Sequence, residues 1–459
     1  VLTIFGKPHK NGGFCDGGTR RDFLTIGGTL LGGGLALPHL LAAEAQQGVS
    51  KSNHKAVINI FLPGGPPHLD MFDLKPDAPA EVRGEFNPIR TNVPGIEICE
   101  LFPLMAKMMD KFTIIRSISG SSGDHDAYQC MTGRKKDPTK PKFWPALGGW
   151  ASKLLGPANP AVPPHLTLMY PCGEQRWGYA GDGGFTGVAH APFKLVGSKA
   201  DGLKSDNMTL RGVTLDQLQD RVGLLKGFDE LSRNLDSSKA ADGLDPHTRQ
   251  ALDILTSNRL KDALDLSKEP KHIVERYGVD DPAFERDGAP RMVRNFCVAR
   301  RLVEAGARVV TMNFSRWDWH GSDGKNFVQA RKDFPLLDRA ITALVGDLHE
   351  RGLDKDVSVI CWGEFGRTPR INKDASRDHW PQVSCALMAG GGMKMGQVIG
   401  ATNRLAERAV SRPVTHQEIF ATLFTNLGLN PNSDKVVDMT GRPQFLVDDG
   451  VQAIRELVG

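Results

Sequence analysis

The chain has 459 residues, 40% hydrophobic and 24% charged, a globular balance that excludes a disordered polymer. Lysine plus arginine number 57 against 53 aspartates and glutamates, and the resulting formal charge of +4 gives no case for a nucleic-acid partner. Fifty-one glycines and 29 prolines exclude a simple helical bundle, and no apolar run of about 18 residues follows residue 45, so no membrane span is expected in the mature chain.

The first element is a leader. Thr19-Arg20-Arg21-Asp22-Phe23-Leu24 precedes a glycine-rich, mildly apolar run over residues 25–41 and then Ala43-Glu44-Ala45. Paired arginines, an apolar stretch and a small-x-small site predict a secretory leader, residues 1–45, cleaved after Ala45. The arginine pair before Phe23-Leu24 resembles the twin-arginine signal. That resemblance implies export, folded and often metal-loaded, to the periplasm or beyond. Gly27, Gly28, Gly32, Gly33, Gly34, Pro38 and His39 make the same run a poor spanning helix.

Residues 56–62 read as a buried strand ended by Pro63-Gly64-Gly65-Pro66-Pro67. A helical run over 101–110 leads to a second strand, 112–116. Residues 138–164 are proline-rich, with one short helix near Trp150, and 165–170 is a further candidate strand. The polar stretch 198–290 has a mostly helical pattern and reads as an insertion. Met292, Val293, Phe296, Arg300 and Val303 then recur at helical spacing, Gly306 stops the helix, and 308–314 is a strand. The unit repeats with Leu337, Ile341, Leu344, Val345 and Leu348, then Gly352, then strand 357–362. Two helix–glycine–strand units argue for an α/β domain on a parallel sheet, spanning 55–459. A further strand, 384–389, ends in Gly390-Gly391-Gly392. Thr415 and Glu418 have capping-box spacing at the start of a last helix, 415–427.

Open parallel sheets bind ligands beyond the carboxyl ends of their strands, so the residues there are the ones to inspect. The first strand is followed by His68, Asp70 and Asp73, the second by Ser121, Ser122, Asp124, His125 and Asp126. The 308–314 strand delivers Trp317-Asp318-Trp319-His320, and the 357–362 strand delivers Glu364 and Arg367. A loop then carries Arg377-Asp378-His379-Trp380. Imidazole plus carboxylate without clustered cysteine suits Zn²⁺, Mn²⁺ or a similar divalent ion. The candidates suffice for one ion or two, and two would clamp a phosphoryl- or sulfuryl-type transfer. Arg367 and Arg377 could add a planar fork for an oxyanion. Structural roles compete at several positions: helix caps for Asp124 and Asp126, turn closure for Asp70 and Asp73, packing for Trp317 and Trp319, and an ion pair with Arg367 for Glu364. His416 is an outside candidate. The cysteines beyond the leader show no CxxC spacing, and Cys361 and Cys385 read as buried free thiols.

The combination of leader, Leu62-Pro63-Gly64-Gly65-Pro66-Pro67-His68-Leu69-Asp70, Gly123-Asp124-His125 running to Met131-Thr132-Gly133, Trp317 to His320, Gly363 to Pro369 and Arg377 to Trp380 resembles the DUF1501 family over nearly the whole mature chain. The resemblance implies an alkaline-phosphatase/sulfatase-like, three-layer αβα fold with a mostly parallel central sheet, a bimetal site, and a secreted cytochrome-like partner. Sulfatases place a nucleophilic Cys or Ser ten residues before a Leu-Thr-Gly glycine. Here that count falls on Gly123, with Ser121 and Ser122 close by, so the covalent mechanism does not carry over. Sulfatases also carry paired aspartates where this first strand ends in Pro63-Gly64-Gly65, leaving His68 or Asp70 to replace them.

The expectation is therefore an exported, metal-dependent hydrolase of phosphate or sulfate esters, on a small molecule or a polysaccharide. His68, Asp70, His125, Asp318, His320, Glu364, Asp378 and His379 are the candidate ligands. The nucleophile would be a metal-activated water, or Ser121 or Ser122, with Arg367 on the oxyanion. The rival is a non-catalytic binding or scaffold protein on the same fold. A redox accessory subunit is a third reading, and the lack of CxxCH or clustered cysteine argues against its holding haem or Fe–S itself.

Overall fold

Residues 56–61 form a strand because they are an uninterrupted apolar run with Asn59 as the one polar exception, and all six are buried. Their neighbours in the sheet are equally buried along their whole lengths. A strand dry on both faces requires cover on both faces, which places the sheet between two layers of helices. The computed structural model describes residues 55–136, 144–172, 177–196, 258–284, 286–321, 325–438 and 440–458. They belong to one unit, Asn53–Gly459. The leader and residues 198–257 of the proposed insertion lie outside the described residues.

The main sheet has nine strands: β1 (Ala56–Phe61), β2 (Phe112–Ser119), β3 (His165–Thr167), β4 (Phe193–Lys194), β5 (Val309–Asn313), β6 (Val357–Trp362), β7 (Ser384–Gly390), β8 (Gln397–Ile399) and β9 (Val414–Thr415). Their order is β8-β2-β7-β6-β1-β5-β3-β4, with β9 also beside β2. In the centre Ile60 of β1 lies between Cys361 of β6 and Met312 of β5, both pairings parallel. Every pairing in the sheet is parallel except those of β7, which runs against both β6 and β2. The sequence explains the reversal. Between β6 and β7 there is no crossover helix, only a small hairpin of Gly366–Arg367 with His379–Trp380, and parallel neighbours need a crossover. The carboxyl ends of β1, β2, β5 and β6 and the start of β7 therefore share one edge.

Helix α1 (Leu147–Leu155) packs on β3 and β5, and α2 (Asn295–Ala305) on β5 and β1. Gly306 caps α2 at φ +125°, as its place after the apolar stripe suggests. The stripe from Leu337 to Leu348 belongs to a longer helix, α3 (Asn326–Glu350), which continues through Pro335. Helix α4 (His416–Asn426) begins with the expected capping box, in which Thr415 Oγ accepts from the Glu418 N–H and Glu418 accepts from the Thr415 N–H. At the end of the proposed insertion, short helices Arg259–Leu264 and Lys271–Tyr277 give way to a hairpin of Asp281–Phe284 with Pro290–Arg291. Pro282, Gly288 and Pro290 break the helical pattern there. No helix among the described residues is long and apolar enough to cross a membrane. The six cysteines from Cys99 to Cys385 are all buried and free.

Candidate metal centre

Four side chains from two strand ends and the β6–β7 excursion converge. His125 follows β2, Asp318 and His320 follow β5, and His379 lies just before β7. One ligand atom from each can be chosen so that all lie within 4.8 Å of one another. Asp318 is the hub. Its Oδ1 lies 3.1 Å from His379 Nε2 and 3.5 Å from His125 Nε2, and its Oδ2 lies 3.0 Å from His320 Nε2. A tetrahedral ion with bonds of about 2.0–2.1 Å would set its ligands roughly 3.3 Å apart. Asp318 stands at about that separation from each of the three imidazoles, which makes the four a candidate ligand set for such an ion.

The loop after β1 closes against this hub through two glycines. Gly64 has φ +112°, and a Cβ there would lie 2.4 Å from the Asp318 nitrogen. At Gly65 (φ +80°) a Cβ would lie 2.4 Å from the Phe365 ring. Only glycine permits both the backbone angle and the approach. The Gly64 N–H donates to the Glu364 carboxylate at 2.9 and 3.2 Å.

Two arginines flank Asp318. Arg367 donates to Oδ1 at 2.7 Å, and Arg316 to Oδ2 at 3.2 Å and to the Asp318 carbonyl. Burial alone would raise the Asp318 carboxyl. The hydrogen bonds from His320 and His379, together with Arg367, outweigh it and hold the group far below the usual carboxylate range. The hydrogen bond to Asp318 raises His320, whereas burial lowers His379 despite the same carboxylate. His320 and His379 are each 32% exposed and His125 is 17% exposed, so solvent reaches the cluster from the His320–His379 side.

The other sequence candidates are placed elsewhere. Asp70 is buried in a bidentate pair with Arg377 at 2.8 and 2.8 Å and accepts from Asn326 at 2.7 Å. Asp378 is exposed and accepts from Asn372 across its own loop. His68 is fully buried, accepting from the Arg367 N–H at 3.3 Å. Glu364 is buried at the edge of the cluster, on Gly64 and on Nδ1 of His125 at 3.2 Å, and not on Arg367. Asp126 caps the Tyr128 N–H, Asp73 holds Lys75 and Thr402, and the Trp317 and Trp319 rings pack 5.0 Å apart in the core. Ser122 bonds to Asp124, and Ser121 Oγ is buried without a hydrogen-bond partner among the described residues.

All three nitrogens of the buried Arg367 guanidinium are engaged. It donates to Asp318 and to the carbonyls of Gly64, Gly65, Trp317 and Arg377. Arg377 is similarly spent on Asp70, Val82, Thr368 and Pro369. Both brace loops, and neither presents a free fork to an oxyanion. Sequence reasoning missed Arg316, Trp177 and Phe365. Trp177 meets His125 edge-on at 4.4 Å, and Phe365 lies under His125 and His379 at 5.3 and 4.7 Å. Arg316 sits one residue before the Trp317-Asp318 motif, a position that could have drawn notice. Trp177 lies far from every motif and carries no local signal.

The arrangement defines an α/β protein with a histidine–carboxylate centre at the carboxyl edge of its sheet. The chain belongs to the DUF1501 family, described as a protein of unknown function, whose model matches residues 54–458. No curated protein matches it. Among solved structures it is similar to PsFucS1 sulfatase from Pseudoalteromonas sp., with TM-score 0.34 and 13% identity over 86% of this chain and 71% of that one. It is also similar to Ps i-CgsB in complex with k-i-k-neocarrahexaose, with TM-score 0.36 and 9% identity over 82% of this chain and 73% of that one.

Proposed function

We propose that this chain is a metal-dependent hydrolase of phosphate or sulfate esters. The observation that carries the reading is the convergence of His125, Asp318, His320 and His379 on one position, open to solvent on one side. Those four residues would hold a single divalent ion, which when bound supplies Lewis-acid polarisation of an ester oxygen. A second ion has no comparable ligand set among the described residues, because Asp70 is held by Arg377 and Glu364 by Gly64 and His125.

The local charge supports an anionic substrate. Asp318, Glu364 and Asp287, the last paired with Arg316 at 2.6 Å, stand against the buried Arg316 and Arg367. A divalent ion would turn that local sum from negative to positive at the strand ends, which attracts an ester dianion. The two arginines fix Asp318, and Phe365 with Trp177 confines the His125 ring. Export by the twin-arginine route, with an extracellular polysaccharide ester as substrate, belongs to the same proposal and rests on the leader motif.

Metal content per chain, followed by turnover of aryl phosphates, phosphodiesters and aryl sulfates, tests the reading. About one ion per chain, with turnover lost in His379→Ala, supports it. A second reading, a binding or scaffold protein, is favoured by the ion pairs of Asp318 with Arg316 and Arg367, which already compensate its charge. A folded protein that takes up no Zn²⁺ or Mn²⁺ would establish that reading and remove the hydrolase.

A further inference from the structure

We infer that Glu364 is a positioning residue that fixes the tautomer of His125, and not a metal ligand. The inference rests on the metal reading above only in its consequence for affinity. Its geometric content concerns the protein alone.

Glu364 lies in the turn after β6 and is 1% exposed. Its carboxylate accepts from the Gly64 N–H and stands 3.2 Å from Nδ1 of His125. A carboxylate receiving a backbone N–H and lying between two loops is an acceptor, so the proton shared with His125 belongs to Nδ1. A neutral imidazole carries one proton. Nε2 of His125 is then left with its lone pair, and Nε2 is the atom that faces the cluster, 3.5 Å from Asp318 Oδ1. The ring has little freedom to turn over, because Trp177, His379 and Phe365 pack against it at 4.4, 4.3 and 5.3 Å. His320 and His379 have no such carboxylate behind them in the described contacts. Each reaches Asp318 directly through Nε2. His125 is thus the one ligand whose donor atom is selected from outside the cluster, in the arrangement by which an outer carboxylate orients a metal-binding imidazole.

One oxygen of Glu364 serves both partners: Oε1 lies 2.9 Å from the Gly64 nitrogen and 3.2 Å from Nδ1 of His125. In Glu364→Gln an amide oxygen in the place of Oε1 still accepts from both, so the conservative change keeps the tautomer. Glu364→Ala removes the acceptor at Nδ1 and leaves Asp318 Oδ1, 3.5 Å from Nε2, as the acceptor beside the ring, which moves the imidazole proton to Nε2.

Imidazole ¹⁵N NMR of the metal-free protein at about pH 8, above the ordinary imidazole range, reads this directly. The expected result is Nδ1–H for His125 in the parent and in Glu364→Gln, and Nε2–H in Glu364→Ala, with thermal unfolding of each sample showing that it is folded. Zn²⁺ titration should show affinity lower by about 10–100-fold in Glu364→Ala and close to the parent's in Glu364→Gln. An Nε2–H tautomer in the parent overturns the inference. So does a folded Glu364→Ala that keeps Nδ1–H, or one that binds Zn²⁺ as tightly as a parent that binds it. If the tautomers follow the expected order and no sample binds metal, the positioning inference stands and the hydrolase reading fails.

Discussion

Arg367 donates to Asp318 at 2.7 Å while its other donors reach the carbonyls of Gly64, Gly65, Trp317 and Arg377. One buried guanidinium thereby joins the loop after β1, the loop after β5 and the excursion between β6 and β7. Asp318→Ala would leave Arg367 and Arg316 buried without their counter-charge. It should destabilise the protein by about 3–5 kcal/mol in urea unfolding and abolish metal binding as well. A variant of parental stability would contradict this account of the hub.

The two exposed-side histidines separate ligation from folding. His320→Ala and His379→Ala remove imidazoles that are only partly buried, so thermal unfolding should change little. Zn²⁺ affinity should fall by more than the roughly 10–100-fold expected for loss of an outer partner. Calorimetric titration of each variant provides the measurement, and retained affinity in both would exclude the four-residue centre.

Asp70 and Asp378 provide the opposite test. Asp70→Ala breaks the bidentate pair with Arg377 and should cost about 3–5 kcal/mol of stability. It should leave metal stoichiometry unchanged in the protein that remains folded. Asp378→Ala should alter neither quantity, since the side chain is exposed and bonds only within its loop. Loss of metal in either would return these aspartates to the ligand set.

Burial lowers three histidines outside the cluster. His416 is pushed down to about 3, and His68 and His165 to about 4. The unfolded chain takes up protons near the ordinary value of 6.5 that the folded chain refuses. Their contribution is fully present above pH 6.5 and is lost progressively as the pH falls toward the folded values. For His416 alone the loss at about pH 5 is about 2 kcal/mol. His416→Phe, against the Trp362 ring, should flatten the acid limb of stability against pH by about one proton. Equal slopes in the two proteins would show that His416 is not held neutral.

The strands and the edge they share were legible because β1, β5 and β6 are buried on both faces and read as mostly apolar runs. The direction of β7 was not, since a strand's own residues do not encode which way its neighbours run. It was set by the absence of a helix between Trp362 and Ser384. Asp318, His320 and His125 stood out by their places after strand ends and His379 by its loop, but nothing in the sequence separated these four from His68, Asp70, Glu364 and Asp378. Asp70 and Asp378 had the same kind of place and were given other partners by Arg377 and Asn372. Those partners depend on side-chain direction, which spacing does not carry. Trp177 reached His125 through the fold alone.

The reversed course of β7 has a consequence for how this protein can change. Residues 363–383 leave the sheet and rejoin it at the same edge, carrying Glu364, Arg367, Arg377 and His379 together. Lengthening or exchanging that excursion would not shift any crossover helix or the register of the β6–β7 pair. A new excursion would have to keep Arg367 and Arg377, whose partners Asp318 and Asp70 lie after β5 and β1, so the chemistry it carries can vary only around those two fixed points.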